Sequence, residues 1–231
     1  MTNTVDSQDQ MLASDLINKD LPPLKPTDTV KKALSWMESF RVSELPVVDK
    51  RKYLGVVQEE MLYELSDSNM QLGELELEAD NIFVKHNTHF YDVVKTAEMN
   101  DLKSLAVIDE QGLFMGTICV KDSLARMAKT YATQNPGGIL VVGMDYYDYS
   151  LSNIARLIEE NNAKILSSFL EADSQDSQRV KLTLKIDQTD LTRIIATLER
   201  FEYTILAKFD EAEINDYEKD RLDLLFRLLN I

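Results

Sequence analysis

The sequence predicts a mixed α/β (α+β) chain in three parts: two small α/β units packed as a pseudo-symmetric pair, a ferredoxin-like βαββαβ domain, and a C-terminal helix. Three observations carry that expectation. A stretch of about sixty residues is written twice, with its hydrophobic pattern in register. A Pro/Gly break, TQNPGG, falls at 133–138. Beyond it, two amphipathic helix faces recur about 40 residues apart between strand-like runs.

The repeat fixes the first part. Val30, Ala33, Leu34 and Met37 return 60 positions later as Phe90, Val93, Val94 and Ala97. Both sets have the i, i+3, i+4, i+7 spacing of a helix with one apolar face. Leu45, Val47, Val48 and Asp49 return as Leu105, Val107, Ile108 and Asp109. The turns DKRKYLG and DEQGLFMG differ by one residue, so Gly55 and Val57 return at offset 61 as Gly116 and Ile118. Each copy reads as a leading strand, a helix, a strand, a turn, a strand and a helix. The copies span 11–66 and 67–133, after a polar, flexible N-terminus at 1–10. Residues 134–138 form a linker.

The third part begins at Ile139 and runs to about 211. ILVVGM (139–144), AKILSSFLEA (163–172) and YTILAKF (203–209) read as strands. Val180, Leu182, Leu184 and Ile186 alternate with Lys181, Thr183, Lys185 and Asp187, the period of a half-buried antiparallel strand. Leu151, Ile154, Ala155 and Ile158 mark one helix, and Leu191, Ile194, Ile195 and Leu198 the other, with Ser150 and Asp190 placed to cap them. Residues 212–231 continue as a helix with Leu222, Leu225, Phe226 and Leu229 on one face. Leu224 and Leu228 lie beyond that stripe, which predicts contact on two sides and a homodimer.

Composition narrows the function. The chain has 231 residues, 44% hydrophobic and 28% charged, enough to bury a sizeable core. Its formal net charge of −15 repels phosphate backbones, so nucleic acid is not an expected partner. It does not forbid one small basic pocket. A single cysteine allows no internal disulfide and fits a reducing compartment. No signal peptide or membrane span is expected, and the expected location is the cytoplasm.

The doubled pieces LKPTDTVKKALSWM, SELPVVD and GVVQEEML, with their second-copy partners, resemble the tandem CBS domains of a Bateman module. The βαββαβ segment is similar to an ACT domain. The combination resembles the acetoin-utilisation accessory proteins of bacteria. The resemblance implies a regulatory role, with an adenosine nucleotide or related ligand (AMP, ADP, ATP or S-adenosylmethionine) in clefts between the repeats. It also implies an unidentified partner protein.

The resemblance also implies site residues. The ligand would lie against Pro23, Leu24 and Pro46 in the first copy, and against Ile82, Phe83 and Ala106 in the second. Family members carry Gly-x-x-[Ser/Thr]-x-x-Asp at the last strand, the hydroxyl for phosphate and the carboxylate for ribose hydroxyls. Here the first copy reads Gly55 to Met61, with Gln58 in place of the hydroxyl and Met61 in place of the acid. The second reads Gly116 to Asp122, with Cys119 for the hydroxyl and Asp122 retained. Lys121 supplies a point charge for phosphate. Asp122 equally suits the N-cap of the following helix, and Cys119 suits a small packed side chain.

Other features weigh less. His86 and His89 lie in a loop leading into a helix and lack an evident third metal ligand. MDYYDYS (144–150) puts Tyr149 where ACT domains keep a glycine, favouring an aromatic subunit contact over an amino-acid site. ELELEAD (74–80) reads as a solvated acidic edge. No nucleophile elbow and no phosphate-binding loop is present, so no catalysis is expected. The alternatives to ligand sensing in the clefts are a scaffold with decayed sites and amino-acid sensing in the ACT-like domain.

Overall fold

The structure is a computed structural model that describes residues 11–174 and 176–209. The expected flexible N-terminus (1–10) and C-terminal helix (212–231) lie outside the described residues. The chain divides into two compact units, with the boundary between Met127 and Ala128, ahead of the expected 134–138 linker.

The first unit holds both repeats. In the first, α1 (Val30–Phe40) precedes a hairpin of β1 (Glu44–Asp49) and β2 (Lys52–Gln58), and α2 (Glu59–Tyr63) follows. In the second, β3 (Phe83–Lys85), α3 (Phe90–Met99), β4 (Ser104–Ile108), β5 (Phe114–Cys119) and α4 (Val120–Met127) repeat the order. Corresponding residues pair alike. Leu24 bridges Val47 in parallel, and Val84 pairs with Val107. Val47 faces Gly55 and Val107 faces Gly116, each just before a register shift. Glu44 faces Gln58, and Ser104 faces Cys119.

The expected leading strand differs between the copies. The second forms β3, with three pairs to β4. The first shrinks to the single Leu24 bridge, because Pro22, Pro23 and Pro26 donate no N–H and hold the backbone out of a longer ladder. Thr29 caps α1 through Lys32, and His89 caps α3 with its Nδ1 accepting from the Tyr91 N–H at 3.2 Å.

The leaders of the repeats are exchanged. Residues 11–18 pair with the second repeat through Leu12–His89 and Asn18–Thr117. Ala13 and Leu16 pack in its core beside Val93, Leu105 and Ile118. Residues 71–78 pair with the first repeat through Gln71–Thr29 and Glu78–Val56, and Leu72 is buried in that core. ELELEAD is a strap whose acidic edge is solvated as expected, with Glu74, Glu76, Glu78 and Asp80 all exposed. Its Leu75 and Leu77 pack inward, and the Tyr53 hydroxyl donates to the Ala79 carbonyl at 2.9 Å.

Each strap crosses a glycine of the doubled motif. A Cβ on Gly55 would meet the Glu78 carbonyl at 2.7 Å and Leu77 Cβ at 2.8 Å. One on Gly116 would clash with the Ile17 side chain. Gly55 therefore serves close backbone approach, and Gly116 leaves room for the Ile17 side chain. Val48, Tyr53, Ala106 and Phe114 form a small cluster joining the repeats.

The second unit opens with a short helix, α5 (Tyr131–Gln134), and continues as βαββαβ. β6 (Ile139–Asp145), β7 (Ile165–Ala172), β8 (Arg179–Ile186) and β9 (Thr204–Phe209) form an antiparallel sheet in the order β7-β8-β6-β9, the ferredoxin-like arrangement. α6 (Leu151–Glu159) and α7 (Thr192–Arg200) cover one face through Ile154, Leu157, Ile158, Ile194 and Leu198. Ser150 caps α6, accepting from the Asn153 N–H. Asp190 lies one position outside the cap of α7, where its carboxylate accepts from Thr192. That bond holds its pKa below the usual value. Tyr149 is partly buried against the core. Tyr146 and Tyr147 are the exposed members of that cluster.

Candidate functional site

Two cavities lie where the repeats meet. One, of about 280 Å³, is lined by Arg41–Glu44, Leu102–Ser104 and Cys119–Lys121. The other, of about 240 Å³, is lined by Ser43, Glu44, Gln58–Glu60, Asp101 and Lys103. Shifting the first lining by the repeat offset of 60 or 61 generates every residue of the second. The clefts are pseudo-symmetric counterparts of one another, each just below the usual range for ligand pockets of about 300–1,000 Å³.

Their charge is opposite. The first holds Arg41, Lys103 and Lys121 against Glu44, a formal charge of +2. The second holds Glu44, Glu59, Glu60 and Asp101 against Lys103, a formal charge of −3. Arg41 corresponds to Asp101, and Lys121 to Glu60. The body of the basic cleft is apolar, from Val42, Leu102, Cys119 and Val120. Lys121 Nζ donates to the Arg41 carbonyl at 2.7 Å and so ties α4 to the end of α1 across the repeats. Arg41 has φ +54°, ending α1 in the left-handed conformation.

Glu44 lies on the wall between the clefts and is only 3% exposed. Its Oε2 accepts from the Lys103 N–H at 2.8 Å, the Ser104 N–H at 2.9 Å and the Ser104 hydroxyl at 3.3 Å. Ser104 is its own repeat counterpart, so this carboxylate clasps one copy to the other. Burial raises its pKa above the ordinary value, although the bonds from Lys103 and Ser104 oppose the rise.

The residues singled out from sequence divide. Cys119 and Lys121 line the basic cleft, and Gln58 lines the acidic one. Pro23, Leu24 and Pro46 come together, with the Leu24 N–H donating to the Pro46 carbonyl at 2.9 Å. Ile82, Phe83 and Ala106 come together through the Phe83–Ala106 pair. Neither trio lines the two cavities. Leu24 is fully buried, Ala106 is 1% exposed and Pro46 is buried, so these three are packing residues. The repeat accounts for Leu24: its counterpart is Val84, and both are buried at the strand that leads each copy.

Cys119 is also packed, in the core of the first repeat. Burial, with Asp122 nearby, pushes its thiol up to about 11. Asp122 is not an N-cap, because α4 begins at Val120. Its Oδ2 instead accepts from Asn18 Nδ2 at 2.8 Å. Sequence reasoning misses Arg41, Glu44, Lys103 and Asn18. The Arg41/Asp101 and Lys121/Glu60 contrasts are visible once the copies are aligned, but nothing in the sequence says that they share one wall. Among the described residues no group of three or more His, Cys, Asp or Glu is placed to hold a metal ion. No described helix is long and apolar enough to cross a membrane.

Residues 13–66 match the family model of the CBS domain. The inosine-5′-monophosphate dehydrogenase of Methanocaldococcus jannaschii is 24% identical over 211 residues, covering 87% of this chain and 42% of that enzyme. The Bacillus subtilis dehydrogenase is 21% identical over 199 residues, covering 83% of this chain and 41% of the enzyme. The chain thus spans less than half the length of these curated relatives. Among solved structures, a CBS domain pair/ACT domain protein from Thermotoga maritima is 22% identical with a TM-score of 0.47. The match covers 52% of this chain and 98% of that one. CBSX2 in complex with AMP is 20% identical with a TM-score of 0.45, covering 51% of this chain and 96% of that one.

Proposed function

We propose that this chain is a non-catalytic regulatory protein that senses an adenosine nucleotide in the basic cleft between its repeats. Occupancy is passed to the ferredoxin-like unit or to a partner protein, and the working form is a homodimer. The observation that carries the reading is the charge contrast. Two cavities of matching construction differ in sign, and the basic one sits in a protein of net charge −15. A cluster of cations kept on such a background favours an anion with an apolar body. AMP, ADP and ATP fit that description, and the cationic sulfonium of S-adenosylmethionine fits it less well. Regulation then requires only that the ligand favour one of two packings of the repeats.

A second reading, a scaffold whose ligand sites have decayed, is favoured by the first copy. Gln58 and Met61 replace the expected hydroxyl and acid, and the cleft beside Gln58 is lined by three carboxylates of its own besides the shared Glu44. A thermal-shift series with AMP, ADP and ATP separates the readings. A nucleotide at a hundred times its dissociation constant adds about 2.7 kcal/mol, or about 5–10 °C for a chain of this size. Arg41→Gln is expected to remove most of the shift, and Glu60→Gln, in the acidic cleft, to leave it. No shift with any of the three at millimolar concentration favours the scaffold.

A further inference from the structure

Side chains alternate between the two faces of the second unit's sheet. Leu140, Val142 and Met144 of β6 point into the core under α6 and α7. Ile139, Val141 and Gly143 therefore lie on the other face, with Leu206 over Gly143. The register carries Phe169 of β7 to that face opposite Thr183, and Phe209 of β9 opposite Ile139. Ile139 and Val141 are only half-buried, although β6 is an inner strand. Phe169, Leu206 and Phe209 are 55%, 47% and 57% exposed. Antiparallel sheets that face water ordinarily do so with polar side chains, so an apolar open face marks a contact.

The chain itself supplies a segment of fitting length, pattern and charge. β9 ends at Phe209, on the open face at the edge of the sheet, and 22 residues follow. They lie outside the described residues, but their sequence sets Leu222, Leu225, Phe226 and Leu229 at the spacing of one helical stripe. The helix expected over 212–231 would be about 30 Å long. The eight-residue strands β7 and β8 run about 27 Å, so such a helix spans the face. Residues 210–231 hold seven acidic and three basic side chains, a formal charge of −4. The strand residues of the open face hold Arg179, Lys181 and Lys185 against Asp145 and Glu171, a formal charge of +1. On a chain of net charge −15, that sign attracts the segment.

We propose that residues 210–231 dock on the open face of their own chain's sheet through the stripe of Leu222, Leu225, Phe226 and Leu229. Phe169, Leu206 and Phe209 form the seat. The proposal does not depend on the nucleotide reading of the basic cleft.

Hydroxyl-radical footprinting of the full chain tests it, against a full-length variant carrying Leu225→Ser and Phe226→Ser. Phe169 and Phe209 are expected to label at least about threefold faster in the variant, while Met144, in the core of the same unit, stays protected. A reciprocal variant changes only exposed positions of the seat, Phe169→Glu with Leu206→Glu. It is expected to speed tryptic cleavage after Lys219 and Arg221 by about fivefold or more. That second variant decides the matter if Met144 is labelled in the first. Equal labelling with Met144 protected, or an unchanged cleavage rate, overturns the proposal. Labelling of Phe169 in the unaltered chain that rises on about hundredfold dilution assigns the cover to a second copy and also overturns it.

Discussion

Replacing Gly55 with alanine is expected to lower the stability of the repeat pair by about 3 kcal/mol or more. Two causes add. Gly55 has φ +141°, a conformation that an L side chain adopts only under strain. The new methyl would also meet the Glu78 carbonyl at 2.7 Å and Leu77 Cβ at 2.8 Å. The first obstacle is backbone, held by paired hydrogen bonds between Val56 and Glu78, so it cannot rotate away. Gly112 supplies the control. It has φ +78°, but a methyl added there would meet nothing within 4 Å, so Gly112→Ala should cost about 1 kcal/mol from backbone strain alone. Urea denaturation of the two variants measures the difference. Equal losses would mean that the strap over Gly55 moves aside freely.

Glu44→Ala is the second large effect, about 2–4 kcal/mol of destabilisation. The substitution removes the acceptor of the Lys103 and Ser104 N–H groups, and it does so where the two repeats meet. Glu44 also predicts a pH signature. Its folded-state pKa is raised above the ordinary 4.5, so ionising it works against folding. The favourable contribution is present below 4.5 and is lost as pH rises through the folded value. Glu44→Gln should therefore flatten stability against pH in the window starting near 4.5, whereas Glu44→Ala should also lower it at every pH. A pH dependence unchanged in Glu44→Gln would place the titration elsewhere.

Both predictions turn on contacts between segments far apart in sequence, and that boundary separates what is legible in the sequence from what is not. The copies, their helices and their hairpins follow from local periodicity. Val30, Ala33 and Met37 are buried as their spacing requires, and so are Val93 and Ala97. The βαββαβ order of the second unit follows in the same way from Val180 to Ile186 and its flanking helices. The exchanged straps do not. Residues 11–18 and 71–78 carry short, mixed patterns whose partners lie in the other repeat, so no local period announces them. Gly55 and Gly116 stand out as a doubled motif, but their role is set by those straps.

The site is legible only in part for the same reason. The Gly116–Asp122 motif leads to Cys119 and Lys121, which line the basic cleft. It also leads to Asp122, whose engagement by Asn18 depends on the strap. Leu24 and Ala106 fall at cleft positions by resemblance, yet their places in the strands turn them into the core. The charge contrast arises from five positions, Arg41, Asp101, Glu59, Glu60 and Lys121, that only the folded pair gathers around two walls.

The stoichiometry of AMP binding, measured by isothermal titration of the full chain, tests the central claim most directly. The charge contrast predicts one AMP per chain, because the cleft with Glu59, Glu60 and Asp101 repels the phosphate that the cleft with Arg41 and Lys121 attracts. Two equivalents per chain, or a single equivalent that survives Arg41→Gln undiminished, would contradict it.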